Sequence, residues 1–234
     1  MRILSIDVGI KNLSYVDASV AEEEGGGGGG DRGWSVDVVD WGVLDITEGC
    51  TDPSKMIRDP DRLSQNVLCK LNERFFEERR SDAPYDHIII ENQPVIKNPV
   101  MKTIQVVIFT FFQTVRMFFG GIENVRLVSA ASKLDAVIPD GEARNTKYSD
   151  KKKMSVATCK ELLRRCSSPG EGAVAAEDAW PHRVGRVLLS SFSIEDEHRA
   201  RFETSRKKDD LADALLQCIA FLAHRALLGT RVPA

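Results

Sequence analysis

The strongest constraint in this chain is an apolar run that ends in one carboxylate, and it comes first. Met1-Arg-Ile-Leu-Ser-Ile-Asp7 reads as a buried or half-buried strand, with Asp7 at or near the middle of a sheet. A carboxylate there is costly unless it is paired or bound to a metal. Gly9 allows a tight turn, or close approach of a ligand to the backbone. Taken alone, Asp7 equally suits a turn cap. Two further stretches weigh against that. Ile88-Ile-Ile-Glu91 is a second apolar run closed by a carboxylate, and Lys207-Lys-Asp-Asp-Leu-Ala-Asp213 places three acids at the start of a helix.

The chain in order alternates these features with ordinary scaffolding. Residues 12–20 read as a second strand hairpinned on the first, and residues 34–46 alternate as a third. Between them lies a Gly-rich hairpin insert at 21–33. It holds six consecutive glycines preceded by acids, so it reads as a flexible tip and not as a phosphate cradle. Apolar residues recur at helical spacing over 55–80, with Pro60 delaying or kinking the start. Residues 87–91 form a fourth strand. Asn98-Pro99 opens a long helix that ends at Gly120-Gly121. It is apolar on more than one side, which suits contact with a second subunit. Residues 125–128 form a fifth strand. The segment 167–203 is irregular and rich in Pro and Gly, and the last helix runs over 209–228.

With 234 residues and an apolar share of 42%, the chain can build one cored domain over 1–234. The net charge of −3 makes any nucleic-acid surface local. One such patch spans 144–165, where eight basic residues face only Asp150 and Glu161. Asp150 suits the N-cap of a helix there. A solvated helix face explains such a patch equally well. The five cysteines have no C-x-x-C spacing and suit reduced buried thiols, while the four histidines are scattered. No secretory signal is read at Met1, and the apolar stretch over 100–121 is broken by Lys102, Gln105, Gln113 and Arg116, so no membrane span is expected.

The chemistry lies in how the acids combine. Asp210 and Asp213 are three apart on a helix and share a face, where two like charges repel. Asp209 suits the cap, although Asp209 and Asp213 at four apart share a face as well. A pair of divalent cations would resolve the repulsion, and carboxylate oxygens suit Mg²⁺, with Mn²⁺ as a substitute. In a two-metal site the ions clamp the attacking and leaving oxygens of a phosphodiester. Asp7, Glu91, Asp210 and Asp213 are the candidate ligands.

Ile6-Asp7-Val-Gly-Ile-Lys-Asn-Leu-Ser, Ile90-Glu91-Asn-Gln-Pro and Lys207-Lys-Asp-Asp-Leu-Ala-Asp213 resemble the Holliday junction resolvases of the RNase H-like superfamily. The likeness is greatest to the poxvirus-type and fungal mitochondrial resolvases and more distant to the bacterial RuvC enzymes. It implies an α/β fold with an RNase H-like five-stranded mixed sheet flanked by helices. It also implies a homodimer that resolves four-way, branched DNA junctions by paired symmetric nicks, using two Mg²⁺ ions per site. By position it assigns DNA contact to Lys133, Lys151, Lys152 and Lys153, with Arg164 and Arg165 weaker. The place of work would be intracellular: a viral replication site in the cytoplasm, or a DNA-containing organelle. Two other classes remain open. Asp7-Val-Gly with Lys11-Asn12 also looks like the phosphate hairpin of an actin-like or sugar-kinase-like ATPase, although that fold usually needs a second such loop and a longer chain. The chain could also bind junctions without cutting them, which four retained acids argue against.

Overall fold

The computed structural model describes residues 1–23, 33–48, 50–77, 85–96, 98–130, 147–166 and 189–227. Its centre is a mixed sheet of β1 (Arg2–Asp7), β2 (Leu13–Glu23), β3 (Gly33–Leu44), β4 (His87–Asn92), β5 (Asn124–Ser129) and β6 (Leu189–Ile194), in the order β5-β4-β1-β2-β3-β6. β1, β2 and β3 form an antiparallel meander, while β4 lies parallel to β1, β5 to β4 and β6 to β3. The five expected strands are present, and β6 extends the sheet beyond β3. That strand comes from the segment expected to be irregular. The second half of 167–203 instead carries β6 and a helix, whereas 167–188 and the hexaglycine lie outside the described residues.

Side-chain alternation along the strands sorts the core into two layers. Leu4 and Ile6 of β1 and Ile88 and Ile90 of β4 meet α1 (Pro53–Arg58), α2 (Pro60–Asn72) and α3 (Pro99–Phe119). Ile3 and Ile89 face the opposite layer, built on α4 (Tyr148–Cys166), α5 (Asp196–Thr204) and α6 (Lys208–Leu227). Each fully buried Leu or Ile contributes roughly 1.5–3 kcal/mol. Asp7 keeps the parity of Ile3, and Glu91 that of Ile89. Both carboxylates therefore project from the α6 face of the sheet.

Local chemistry sets the element ends. Pro60 divides the helical stretch 55–80. Asp52 caps α1, and Asp59 caps α2 with Pro60 in its first turn. A π turn, Glu73–Glu77, follows α2 and carries Arg74, which donates to the Tyr15 hydroxyl at 2.6 Å and pairs with Asp40. α4 starts at Tyr148, so Asp150 lies within its first turn and is not the N-cap; its N–H already bonds the Lys147 carbonyl at 3.0 Å. No helix of the described residues is long and apolar enough to cross a membrane.

Candidate functional site

Three elements bring the acids together. β1 and β4 pair in parallel up to Ile6 beside Ile90, and each acid follows its partner residue by one position. The turn out of β1 is tight enough that any side chain at Gly9 would collide with the Asn12 carbonyl, so the chain doubles back directly beside Asp7. The register then sets Ser14 opposite Asp7.

α6 is pinned across this end of the sheet by hydrogen bonds to its backbone. Ser14 Oγ donates to the Asp210 carbonyl at 2.6 Å, Ser5 Oγ to the Ala214 carbonyl at 2.8 Å, and the Trp41 indole N–H to the Leu211 carbonyl at 3.0 Å. Trp41 reaches that carbonyl because β3 skips a residue against β2: Asp17 pairs with Asp40 and Ala18 with Val38, leaving Val39 extra. The bulge turns Trp41 onto the α6 face, where it stacks on Phe202 with ring centroids 5.0 Å apart.

The result is a cleft of about 370 Å³. Asp7, Glu91, Asp210 and Asp213 all line it, together with Lys11, Asn12, Gln93, Asn98, Lys152 and Lys207. Asp7 is nearly closed to solvent at 8% exposure. Burial, then the charges of Asp209 and Asp7, push the Asp210 carboxyl up to about 6 against the opposing pull of Lys152 and Lys207. Asp209 differs. It pairs with Lys152, and although burial alone would raise its carboxyl, the hydrogen bond and charge of Lys152 hold it below the usual carboxylate range. Asp210, not Asp209, is thus the acid that shares the cleft with Asp213.

Glu91 is held from the α3 side. Gln93 Nε2 donates to Glu91 Oε2 at 2.6 Å, and the Gln93 backbone N–H donates to Gln105 Oε1 at 2.8 Å. Lys102 Nζ also reaches Gln105 Oε1, at 2.9 Å, and Asn92 Oδ1, at 3.0 Å. Gln105 is buried on an otherwise apolar helix face. Lys11 and Gln93 stand within the motifs quoted from the sequence, Lys11 also in the phosphate-hairpin alternative, but the sequence assigns neither to the acid site, and Gln105 reads there only as a polar break in an apolar stretch. Lys207 stood within the third acidic motif but carried no assigned role.

The basic candidates separate. Lys152 lines the cleft, whereas Lys151 and Lys153 sit on α4 outside its lining, with Lys153 Nζ 3.6 Å from Asp150. Arg164 forms a two-pronged, exposed pair with Glu161 at 2.8 and 2.9 Å. Lys133 and the side chain of Arg165 lie outside the described residues.

Residues 3–95 match the family model described as mitochondrial resolvase Ydc2 / RNA splicing MRS1. No curated protein matches the chain. Among solved structures, the yeast mitochondrial Holliday junction resolvase Ydc2 is 20% identical, with a TM-score of 0.54 over 97% of this chain and 81% of that one. RuvC of Thermus thermophilus is 14% identical, with a TM-score of 0.50 over 98% of each chain. A fowlpox virus resolvase crystallised with substrate Holliday junction DNA is 16% identical, with a TM-score of 0.49 over 96% of this chain and 98% of that one. The fold is that of the RNase H-like resolvases Ydc2 and RuvC, and the family match supports the resemblance to Holliday junction resolvases over the first two of the three acidic motifs.

Proposed function

We propose that this chain is a metal-dependent endonuclease that resolves four-way DNA junctions by paired nicks. One observation carries the reading. Four carboxylates from two parallel strand ends and a helix converge on one cleft that is also lined by Lys11, Lys152 and Lys207.

The donor set fits hard divalent cations. It is all oxygen, and Asp210 is pushed up first by burial and then by the charges of Asp209 and Asp7, an environment in which a bound cation would favour the carboxylate. Among the described residues, no three His, Cys, Asp or Glu side chains already form a cluster that could hold a metal ion. The carboxylates share the cleft but do not close on one point. Asp7, Glu91, Asp210 and Asp213 would hold Mg²⁺ or Mn²⁺, two ions per site. Bound there, the ions would polarise the scissile phosphodiester and lower the pKa of the attacking water.

The chain's own groups do the rest. Lys152 pairs with Asp209 and offsets part of its negative charge next to Asp210. Lys11 and Lys207 add positive charge beside the acids, which eases approach of a phosphate to an acidic pocket. Gln93 restrains Glu91, and the α6 pins fix Asp210 and Asp213 against Asp7. Lys151 and Lys153, with Lys133 from the sequence, are proposed to contact DNA phosphates, whereas Lys152, grouped with them by sequence, is proposed to support the cleft through Asp209.

Two symmetric nicks need two sites, so the working form is a homodimer. The outer face of α3 suits the contact, because Val106, Met117, Phe118 and Phe119 are exposed there, the last at 83%.

The matched family description also names RNA splicing, so binding without cutting is the competing reading. The four acids gathered in one cleft favour cleavage. A labelled four-way junction, incubated with and without Mg²⁺, decides. Metal-dependent paired nicks support the proposal, binding without nicks supports the competitor, and ATP hydrolysis without nicks would indicate a kinase-like or actin-like enzyme.

A further inference from the structure

Gln217 is 1% exposed in the middle of α6, and its side-chain amide reaches both acid-bearing strands. Nε2 lies 3.1 Å from the Ile6 carbonyl, 3.3 Å from the Ile89 carbonyl and 3.2 Å from Ser5 Oγ. Ile6 immediately precedes Asp7, and Ile89 stands two before Glu91. Gln217 itself follows Asp213 by four residues, so the two side chains share a helix face one turn apart. One amide therefore touches the three elements that carry the acids, directly behind Asp7, Glu91 and Asp213.

Helix docking alone does not call for this residue. The Oε1 atom of Gln217 is buried and takes no hydrogen bond from the described residues, which is a cost that an apolar side chain would avoid. Ser5 supports the same junction, since its Oγ also donates to the Ala214 carbonyl on α6. Leu215, Cys218 and Leu222 already fix the helix to the sheet by apolar contact.

We infer that Gln217 is a positioning residue that sets the spacing of Asp7, Glu91 and Asp213, and with it the affinity of the site for divalent cations. The inference rests on the proposal that these acids hold the metal. The Nε2 hydrogens fix how far the β1 and β4 strand ends stand from α6. An apolar side chain of equal length would fill the space but leave that distance free to drift.

The test is Mn²⁺ binding by titration calorimetry on the full chain, alongside thermal melting and junction cleavage against Mn²⁺ concentration. Gln217→Met is expected to keep or raise the melting temperature while weakening Mn²⁺ binding at least tenfold. The cleavage curve should shift to higher Mn²⁺ by a similar factor, with junction affinity in chelator unchanged. Ser5→Ala should shift Mn²⁺ binding in the same direction, by less. Unchanged Mn²⁺ affinity in Gln217→Met, with or without a loss of melting temperature, overturns the inference and leaves the metal site standing. Should Gln217→Met fail to fold, unchanged Mn²⁺ affinity in Ser5→Ala overturns it instead. Absence of Mn²⁺ binding by the wild-type chain overturns the underlying metal reading, and the inference with it.

Discussion

Lys152 pairs with Asp209 from across the helix junction, which leaves Asp210 as the acid beside Asp213. Adjacent residues on one helical turn thus take different work: one binds a lysine, the other faces the cleft. Substitution should separate them. Asp7→Asn, Glu91→Gln, Asp210→Asn and Asp213→Asn are each expected to reduce cleavage more than roughly a hundredfold, beyond what losing an outer-sphere partner costs. Junction affinity should stay largely intact, since it comes from cations on phosphates. Asp209→Asn should cost only about 10–100-fold, as a supporting residue does. Single-turnover cleavage beside gel-shift binding measures both. Equal losses at Asp209 and Asp210 would contradict the division.

The ambiguity between Asp209 and Asp210 shows where sequence stops. Spacings of three and four both lie on one helix face, so the pattern cannot choose. The choice comes from Ser14, which fixes the Asp210 carbonyl, and from Lys152 on another helix. The acids themselves were legible because a carboxylate closing an apolar run has little purpose in a core. β6 was not legible, because it lies in a Pro- and Gly-rich stretch and pairs only along Trp34–Val38, at the edge of the sheet. The bulge at Val39 left only a slight mark, the apolar doublet Val38-Val39 in an otherwise alternating run, which becomes a bulge only once the partner strand is placed.

Stability should fall in mild acid through His87, which lies at the opposite end of β4 from Glu91. Burial first, then the charges of Arg225 and Arg126, lower its pKa from 6.5 to about 4. The folded state therefore keeps His87 neutral, while the unfolded chain takes up a proton below about pH 6.5. Stability from this group is full above that pH and is lost as the pH falls from 6.5 towards 4, by at most about 3.5 kcal/mol at ~1.4 kcal/mol per unit. Carboxylates titrate over part of the same range, so the readout is a difference. Urea midpoints of wild type and His87→Gln at pH 7.5, 6 and 5 should converge as the pH drops. Parallel curves would remove His87 as the cause.

The α3 face gives a prediction about assembly. Val106, Thr110, Gln113 and Met117 follow one another at helical spacing along its outer side, and the last three line a groove of about 370 Å³. If a second copy covers this stripe, Val106→Glu with Met117→Glu should weaken self-association by at least 2 kcal/mol, roughly 30-fold in dissociation constant. Both side chains are substantially exposed in the single chain, so its melting should change little. Sedimentation at micromolar concentration should show the wild type as a dimer and the double variant as a monomer. Nicks on a cruciform plasmid should then become unpaired. A wild-type monomer that still makes paired nicks would contradict the arrangement.

The lysines of α4 should divide between holding DNA and supporting the cleft. Lys151 and Lys153 stand outside the cleft lining, and Lys153 makes only an exposed approach to Asp150 at 3.6 Å. Such a pair is worth little on its own, so both ammonium groups can turn to phosphate at small cost. Each duplex phosphate contact adds about 0.9 to the slope of log affinity against log salt. Lys151→Gln with Lys153→Gln should therefore lower that slope by up to about 1.8 and weaken binding at low salt. The loss should be similar for junctions of different sequence, because phosphate contacts carry no base information. Lys152→Gln should behave differently. It leaves Asp209 without its cation beside Asp210, which raises negative charge where a phosphodiester must enter. Cleavage should then fall more than binding does, and added Asp209→Asn should recover part of the loss. Fluorescence anisotropy at three salt concentrations, paired with single-turnover cleavage, separates the two roles. If all three substitutions change the slope equally, Lys152 is a phosphate contact like its neighbours. If none changes it, α4 presents only a solvated face.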